Sequence, residues 1–346
     1  MKTNLWSVDK YVDIDSSYPQ IKQAADLLNK NEVIAFPTET VYGLGGNAKS
    51  DEAIAKIFAA KGRPSDNPLI IHIAKQEQLA ELVKEVPEKA EQLMEAFWPG
   101  ALTIIFQLKE GALSKLATAG LNTVGIRMPD HPVALKLLEL ANLPIAAPSA
   151  NTSGKPSPTT ALHVTEDLDS VIAGIVDGGP TGVGVESTVI DCTDSVPVIL
   201  RPGGVSQEDI EKVIGEVMLD KALVNKDSAP KSPGMKYTHY APNAPLYLVQ
   251  APKERIQELV AEERRNGKKA GVLTTEENKD YYQADYIFVC GKRTDLSTVA
   301  ANLYDGLRSF NHSDVDIIFA EVFPYEGVGH AIMNRLMKAA SHQVID

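Results

Sequence analysis

Short β-branched runs and helix-spaced segments alternate along nearly the whole chain, and that alternation admits little besides an α/β fold. The pattern is most regular after Leu246. There the runs Leu246 to Val249, Lys269 to Leu273, Tyr286 to Val289 and Asp316 to Phe323 are separated by helical spacing over Lys253 to Asn266 and Thr298 to Phe310, with Ile332 to Ala340 closing the series. This predicts a small doubly wound domain over 246–346. Earlier, Ile21 to Leu28 reads as an amphipathic helix, Glu32 to Phe36 as a buried strand, Leu102 to Leu108 and Thr123 to Pro129 as strands, and Gln207 to Val217 as a helix. Between the two parts, Lys221 to Pro245 is rich in Lys, Ser, Pro and Asn and marks a linker. The expected organisation is therefore a first domain over 15–217, a linker over 218–245 and a second domain over 246–346.

The chain has 346 residues and a formal net charge of −12, which argues against non-specific nucleic-acid binding as its main activity. Its two cysteines, Cys192 and Cys290, are too few for a disulfide framework or a cysteine-based zinc site. The start, Met-Lys-Thr-Asn-Leu-Trp-Ser-Val-Asp, carries charge where a signal peptide needs an apolar core, and no run reaches membrane-spanning length. The expected location is cytoplasmic.

Lys61-Gly-Arg-Pro-Ser-Asp-Asn-Pro-Leu-Ile-Ile-His72 packs two cations, an amide and an imidazole into a helix-to-strand connection stiffened by Pro64 and Pro68. It looks built to hold an anion. Directly after a strand, Pro37-Thr-Glu-Thr-Val-Tyr-Gly-Leu-Gly-Gly46 offers hydroxyls and a carboxylate where open α/β sheets place ligand loops, although its glycine spacing is not a dinucleotide fingerprint. Arg127 and Arg201 each end an apolar strand, and a buried arginine at such a place needs an anionic partner or ligand. With Arg63 they make three separate arginines, whose expected common target is a polyanion. Pro144 to Pro158 adds a loop dense in Ser, Thr and Asn, where Ser149, Asn151 and Ser157 also suit turn and capping roles. No P-loop signature occurs.

Taken together, Lys61-Gly-Arg-Pro with Asn67-Pro-Leu and His72, Pro37-Thr-Glu-Thr-Val-Tyr-Gly-Leu, Arg127-Met-Pro, Ser149-Ala-Asn-x-Ser-Gly, Ser187-Thr-Val and Arg201-Pro-Gly resemble the threonylcarbamoyl-AMP synthase family. The resemblance covers the first domain, and the linker and second domain are similar to the longer, two-domain form of that family. It implies a YrdC-like twisted open sheet with helices, followed by a small Rossmann-like doubly wound α/β domain. It also implies that ATP, L-threonine and bicarbonate become threonylcarbamoyl-AMP, pyrophosphate and water, with magnesium carried on the nucleotide. Separate transferase proteins then use the adenylate to modify the adenosine beside the anticodon of tRNA.

Position by position, the resemblance implies that Thr40, His72, Arg127, Ala147 and Ser187 hold threonine or its carbamate. Lys61, Arg63, Asn67, Thr123, Ser149, Asn151, Ser157, Arg201 and linker Tyr237 meet the nucleotide, and Lys61 and Arg63 carry catalysis by neutralising developing charge. His72 either orients the carboxylate or assists proton transfer. No protein metal site is expected. Tyr237 would make the linker a lid over ATP.

Two other readings share this domain type. One is a module for double-stranded RNA or tRNA, which overall acidity and the lack of an arginine-rich stretch disfavour. The other is a carbamoyl-transfer domain of hydrogenase maturation, which would bring acylphosphatase-like and zinc-finger segments that this chain lacks.

Overall fold

The structure, a computed structural model, describes residues 2–8, 19–220 and 240–346. It divides into two compact units: 1–153 with 158–182 and 186–236, and 237–346 with the short segments 154–157 and 183–185.

The first unit is built on one eleven-stranded mixed sheet. Its strands are β1 (Asn4–Ser7), β2 (Ile34–Phe36), β3 (Gly43–Asn47), β4 (Ile71–His72), β5 (Leu102–Gln107), β6 (Thr123–Arg127), β7 (Ile145–Ala146), β8 (Gly174–Asp177), β9 (Thr188–Asp191), β10 (Val198–Arg201) and β11 (Met218–Leu219). They lie in the order β1-β8-β2-β3-β7-β4-β6-β5-β9-β10-β11. The helices are α1 (Pro19–Asn29), α2 (Asp51–Lys61), α3 (Leu79–Leu82), α4 (Glu88–Phe97), α5 (Pro132–Ala141), α6 (Ala161–Leu168) and α7 (Gln207–Ile214). Strand β1 was not anticipated. Its sequence Asn-Leu-Trp-Ser is neither apolar throughout nor bounded by turn residues, and its parallel partner β8 lies some 170 positions away, with Asn4 opposite Gly174.

Alternation along the strands sorts side chains between two cores. Ala35, Leu44, Ile71, Ile126, Ala146, Ile104 and Ile190 join the larger cluster, whereas Ile34, Phe36, Ile145 and Ala147 pack with α1 and α5. Residues on the second face therefore have a common orientation. In register across neighbouring strands these are Ile145 opposite His72, His72 beside Arg127, and Thr103 beside Val189. The pairing of Ile104 with Ile126 brings Thr103 next to Arg127.

Strand β10 joins that row through an irregularity. Ile199 pairs with Ile190, but the register then shifts by one residue, so that Arg201 rather than Leu200 lies opposite Val189. The bulge turns the guanidinium onto the face that already carries His72, Arg127 and Thr103.

The second unit has a five-stranded parallel sheet. Strands β12 (Leu246–Val249), β13 (Ala270–Thr274), β14 (Tyr286–Val289), β15 (Ile317–Glu321) and β16 (Val344–Ile345) run in the order β14-β13-β15-β12-β16. Helices α8 (Lys253–Arg265), α9 (Leu296–Ser309) and α10 (Gly329–Ala339) supply the crossovers from β12 to β13, β14 to β15 and β15 to β16, while residues 275–285 join β13 to β14. One face packs Val249, Val272 and Phe319 against Ile256 and Val260 of α8. The architecture is the doubly wound α/β one that the strand and helix alternation predicts. Of the linker motif Lys231 to Pro242, only Tyr240 to Pro242 are among the described residues, and Tyr237 lies outside them. Tyr240 is buried, with φ 66° and its ring 5.1 Å from that of Tyr304.

Candidate active site

The site begins at the end of α2. Ser50 caps this helix by accepting from the Ala53 amide, and Gly62 ends it in the left-handed conformation at φ 59°. That reversal leaves Lys61 facing inward on the last turn and starts the stiff connection at Arg63. Lys61 is 2% exposed, and its Nζ donates to the carbonyls of Ser149 at 2.5 Å and Asn151 at 2.6 Å. The Ser149 hydroxyl donates to Asn151 Oδ1 at 2.6 Å, and Asn151 Nδ2 donates to the Thr152 carbonyl. A buried ammonium thus organises the 149–152 loop. Arg63 is half-buried and Asn67 buried on the connection that follows.

A second group of side chains centres on Arg127. It is 4% exposed and spreads its donors over three elements: Nε to the Gly100 carbonyl at 3.1 Å, one terminal nitrogen to Thr40 Oγ1 at 2.9 Å, and the other to Glu39 Oε1 at 2.5 Å. Of the two expected outcomes for this arginine, an anionic partner or a ligand, the fold supplies the partner, the Glu39 carboxylate. Thr38 folds this loop back by donating to the Val41 carbonyl, and its hydroxyl lies 2.9 Å from that of Thr40. The same loop reaches the lysine side, because the Ala150 amide donates to the Tyr42 carbonyl and Gly43 bridges Ser149. Tyr42 is buried with its hydroxyl on the Gly179 carbonyl, and burial beside Asp177 pushes that phenol far above its ordinary range.

The third group is Arg201 with Ser187. Arg201 donates from Nε and a terminal nitrogen to the Ser187 carbonyl at 3.1 and 2.8 Å, and reaches the Ser187 hydroxyl at 3.2 Å. That hydroxyl lies 2.8 Å from Thr103 Oγ1, linking the arginine to the row that includes Arg127. Close approach of the 201–204 turn makes this geometry possible. A Cβ on Gly203 would lie 2.3 Å from main-chain atoms of Glu186, Ser187 and Thr188.

His72 sits in the same row, 4% exposed, with its ring edge-on to Phe36 at 6.2 Å. Burial, reinforced by the Arg127 charge, lowers its pKa to about 3, so the imidazole is neutral near pH 7. It acts there as a hydrogen-bonding group and not as a cation. An unfolded histidine titrates near ~6.5, so between about 3 and that value the unfolded chain binds the extra proton. The stabilising contribution of neutral burial is complete above that window and declines as pH falls through it. His72→Gln should therefore narrow its difference in melting temperature from wild type as the pH is lowered from 7 to 4, and a constant difference would contradict the assignment.

Of the other expected residues, Ala147 lies on the same face and donates its amide to the Ile70 carbonyl at 2.9 Å. Thr123 begins β6 opposite Gln107, four residues from Arg127 and hence about 13 Å along the strand. It shares the face but not the immediate neighbourhood of the guanidinium. Ser157 is fully buried on the 154–157 segment, which groups with the second unit. Glu39, Thr38 and Thr103 join the site without having been singled out. For Thr103 a signal was available, since a lone hydroxyl inside Leu-Thr-Ile-Ile-Phe needs a buried partner. Cys192 and Cys290 are buried away from water, which pushes both thiols up to about 12 and removes them as nucleophiles.

Two family models match the chain. One, described as "Telomere recombination", spans residues 26–203, and another, described as "Threonylcarbamoyl-AMP synthase, C-terminal domain", spans 205–341. A relative from Bacillus subtilis (strain 168), named threonylcarbamoyl-AMP synthase, is 61% identical over 345 residues, covering 100% of both chains. A relative of the same name from Pyrococcus abyssi is 50% identical over 331 residues, covering 94% of this chain and 95% of its own. The crystal structure of P. abyssi Sua5 complexed with L-threonine superposes with a TM-score of 0.91 at 47% identity, over 100% of this chain and 99% of that one.

Proposed function

The chain belongs to the threonylcarbamoyl-AMP synthase family in its two-domain form, and from that membership and the site geometry we propose how it works. It is a nucleotidyltransferase that condenses L-threonine, bicarbonate and ATP into threonylcarbamoyl-AMP, pyrophosphate and water. Threonine's amine is carboxylated, a carbamate oxygen attacks the α-phosphorus, and pyrophosphate leaves. The observation that carries this reading is the set of buried cations, Lys61, Arg127 and Arg201, held on hydroxyls, main-chain carbonyls and, for Arg127, the Glu39 carboxylate, with a neutral His72 next to Arg127. Such a site is preorganised to stabilise negative charge and to position reactants, and phosphoryl chemistry of this kind asks for little more.

In this reading Thr40, His72, Arg127, Ala147 and Ser187 contact threonine and its carbamate. Lys61, Arg63, Asn67, Thr123, Ser149, Asn151, Ser157, Arg201 and Tyr237 contact the nucleotide. Magnesium would be carried on the phosphates of the nucleotide. Residues 15–217 carry the synthesis, 218–245 act as a lid and 246–346 form the accessory domain. The adenylate passes to transferase proteins that modify tRNA. No described helix is long and apolar enough to cross a membrane.

Pyrophosphate release from ATP by the purified chain tests the reading. Release should require both L-threonine and bicarbonate and be indifferent to tRNA. Absent release together with salt-sensitive tRNA binding would favour an RNA-binding module instead.

A further inference from the structure

We propose that Glu39 recognises the amino group of the substrate amino acid, its Oε2 accepting from the α-ammonium while Arg127 receives the α-carboxylate. The proposal rests on the functional reading above and adds a residue to it. Three observations carry it. Glu39 Oε1 is engaged by Arg127, but Oε2 is buried with no hydrogen-bond partner among the described residues. A buried carboxylate oxygen in that condition carries a desolvation cost which a ligand donor would relieve. The carboxylate is also held in place. The Glu39 carbonyl accepts from the Gly182 amide at 3.1 Å, and on either side Thr38 and Thr40 are fixed by their mutual hydroxyl contact and by Arg127.

Charge balance supplies the third observation. Arg127 and Glu39 present one positive and one negative group side by side, both largely buried, and His72 beside them adds no charge because it is neutral. A neutral pair of this kind complements a zwitterion, whose ammonium and carboxylate are attached to one carbon, better than it complements a simple anion. Inserting the amino acid gives each buried charge a second partner of opposite sign without importing net charge. An acid bearing a hydroxyl in place of the amine would import a net negative charge and leave Glu39 Oε2 without a cationic partner.

Calorimetric titration of the full chain with L-threonine and with the stereochemically matched 2,3-dihydroxybutyrate tests this. Wild type should bind threonine at least about 10-fold more tightly than the hydroxy acid. Glu39→Gln keeps an acceptor for Arg127 but converts the other end of the side chain into a donor. It should weaken threonine about 10- to 100-fold and the hydroxy acid less than about 3-fold. Equal weakening of both ligands would show that Glu39 serves only to hold Arg127, and would overturn the proposal. Equal affinity of the two ligands for wild type would overturn it without any variant being needed. If pyrophosphate release needs threonine yet Glu39→Gln retains the preference, this proposal fails and the functional reading stands. Binding of neither ligand by wild type overturns both.

Discussion

Arg63→Ala is expected to lower threonine-dependent pyrophosphate release about 100- to 1000-fold, the usual effect of deleting one preorganised donor from a developing negative charge. Its melting temperature should move by no more than about 2 °C, because the side chain is half-buried on a connection outside the cores. Lys61→Ala gives a contrasting result. Lys61 is buried and donates to two main-chain carbonyls, so its removal leaves the 149–152 loop without its anchor as well as removing a cation from the proposed nucleotide site. We expect a comparable or larger loss of turnover together with destabilisation of about 2–4 kcal/mol. Circular-dichroism melts run alongside the release assay separate the two effects. Near-normal turnover in Arg63→Ala would contradict its assignment to the nucleotide.

Gly203→Ala should be as damaging as the loss of a charged residue, although it adds a single methyl group. The new Cβ meets three main-chain atoms at 2.3 Å, and main chain cannot swing aside as the tip of a flexible side chain can. Either the 201–204 turn or the start of β9 must move. Each change separates Arg201 from the Ser187 carbonyl that it grips. Destabilisation of about 3 kcal/mol or more is expected, with the midpoint of urea denaturation as the measure and activity lost in parallel. A variant as stable and active as wild type would mean that the close approach is dispensable.

The strand and helix alternation was legible because it depends on local periodicity, and so were the glycine and proline punctuation around Gly62 and Pro68. Contacts made by residues far apart in the chain were not. Glu39 and Arg127 are separated by 88 positions, and nothing local to Pro37-Thr-Glu-Thr says which cation its carboxylate meets. Arg127 consequently reads in the sequence as either an anion ligand or half of an ion pair, and the fold shows it paired. Likewise Thr103 looks like a polar interruption of an apolar strand until the pairing of β5 with β9 brings its hydroxyl to 2.8 Å from that of Ser187, just before β9. Strand β1 escaped for the same reason, since its only justification is a partner at the far end of the domain. Residue types at the site could be identified from sequence, whereas their pairing required the sheet register.

The bulge at Leu200 has a consequence for how this sheet can change over time. Most strands tolerate gradual substitution, but β10 carries its functional group by virtue of a count, and a count changes only in whole residues. Pairing β9 and β10 in unbroken step with Leu200 retained would set Leu200 opposite Val189 and deliver the guanidinium to the apolar side of the sheet. The chain has thus accepted an imperfect ladder as the condition for its chemistry. Straightening the ladder at constant length would therefore misplace Arg201, whereas a change of length in the 192–197 turn that precedes the strand leaves the count between Ile199 and Arg201 intact.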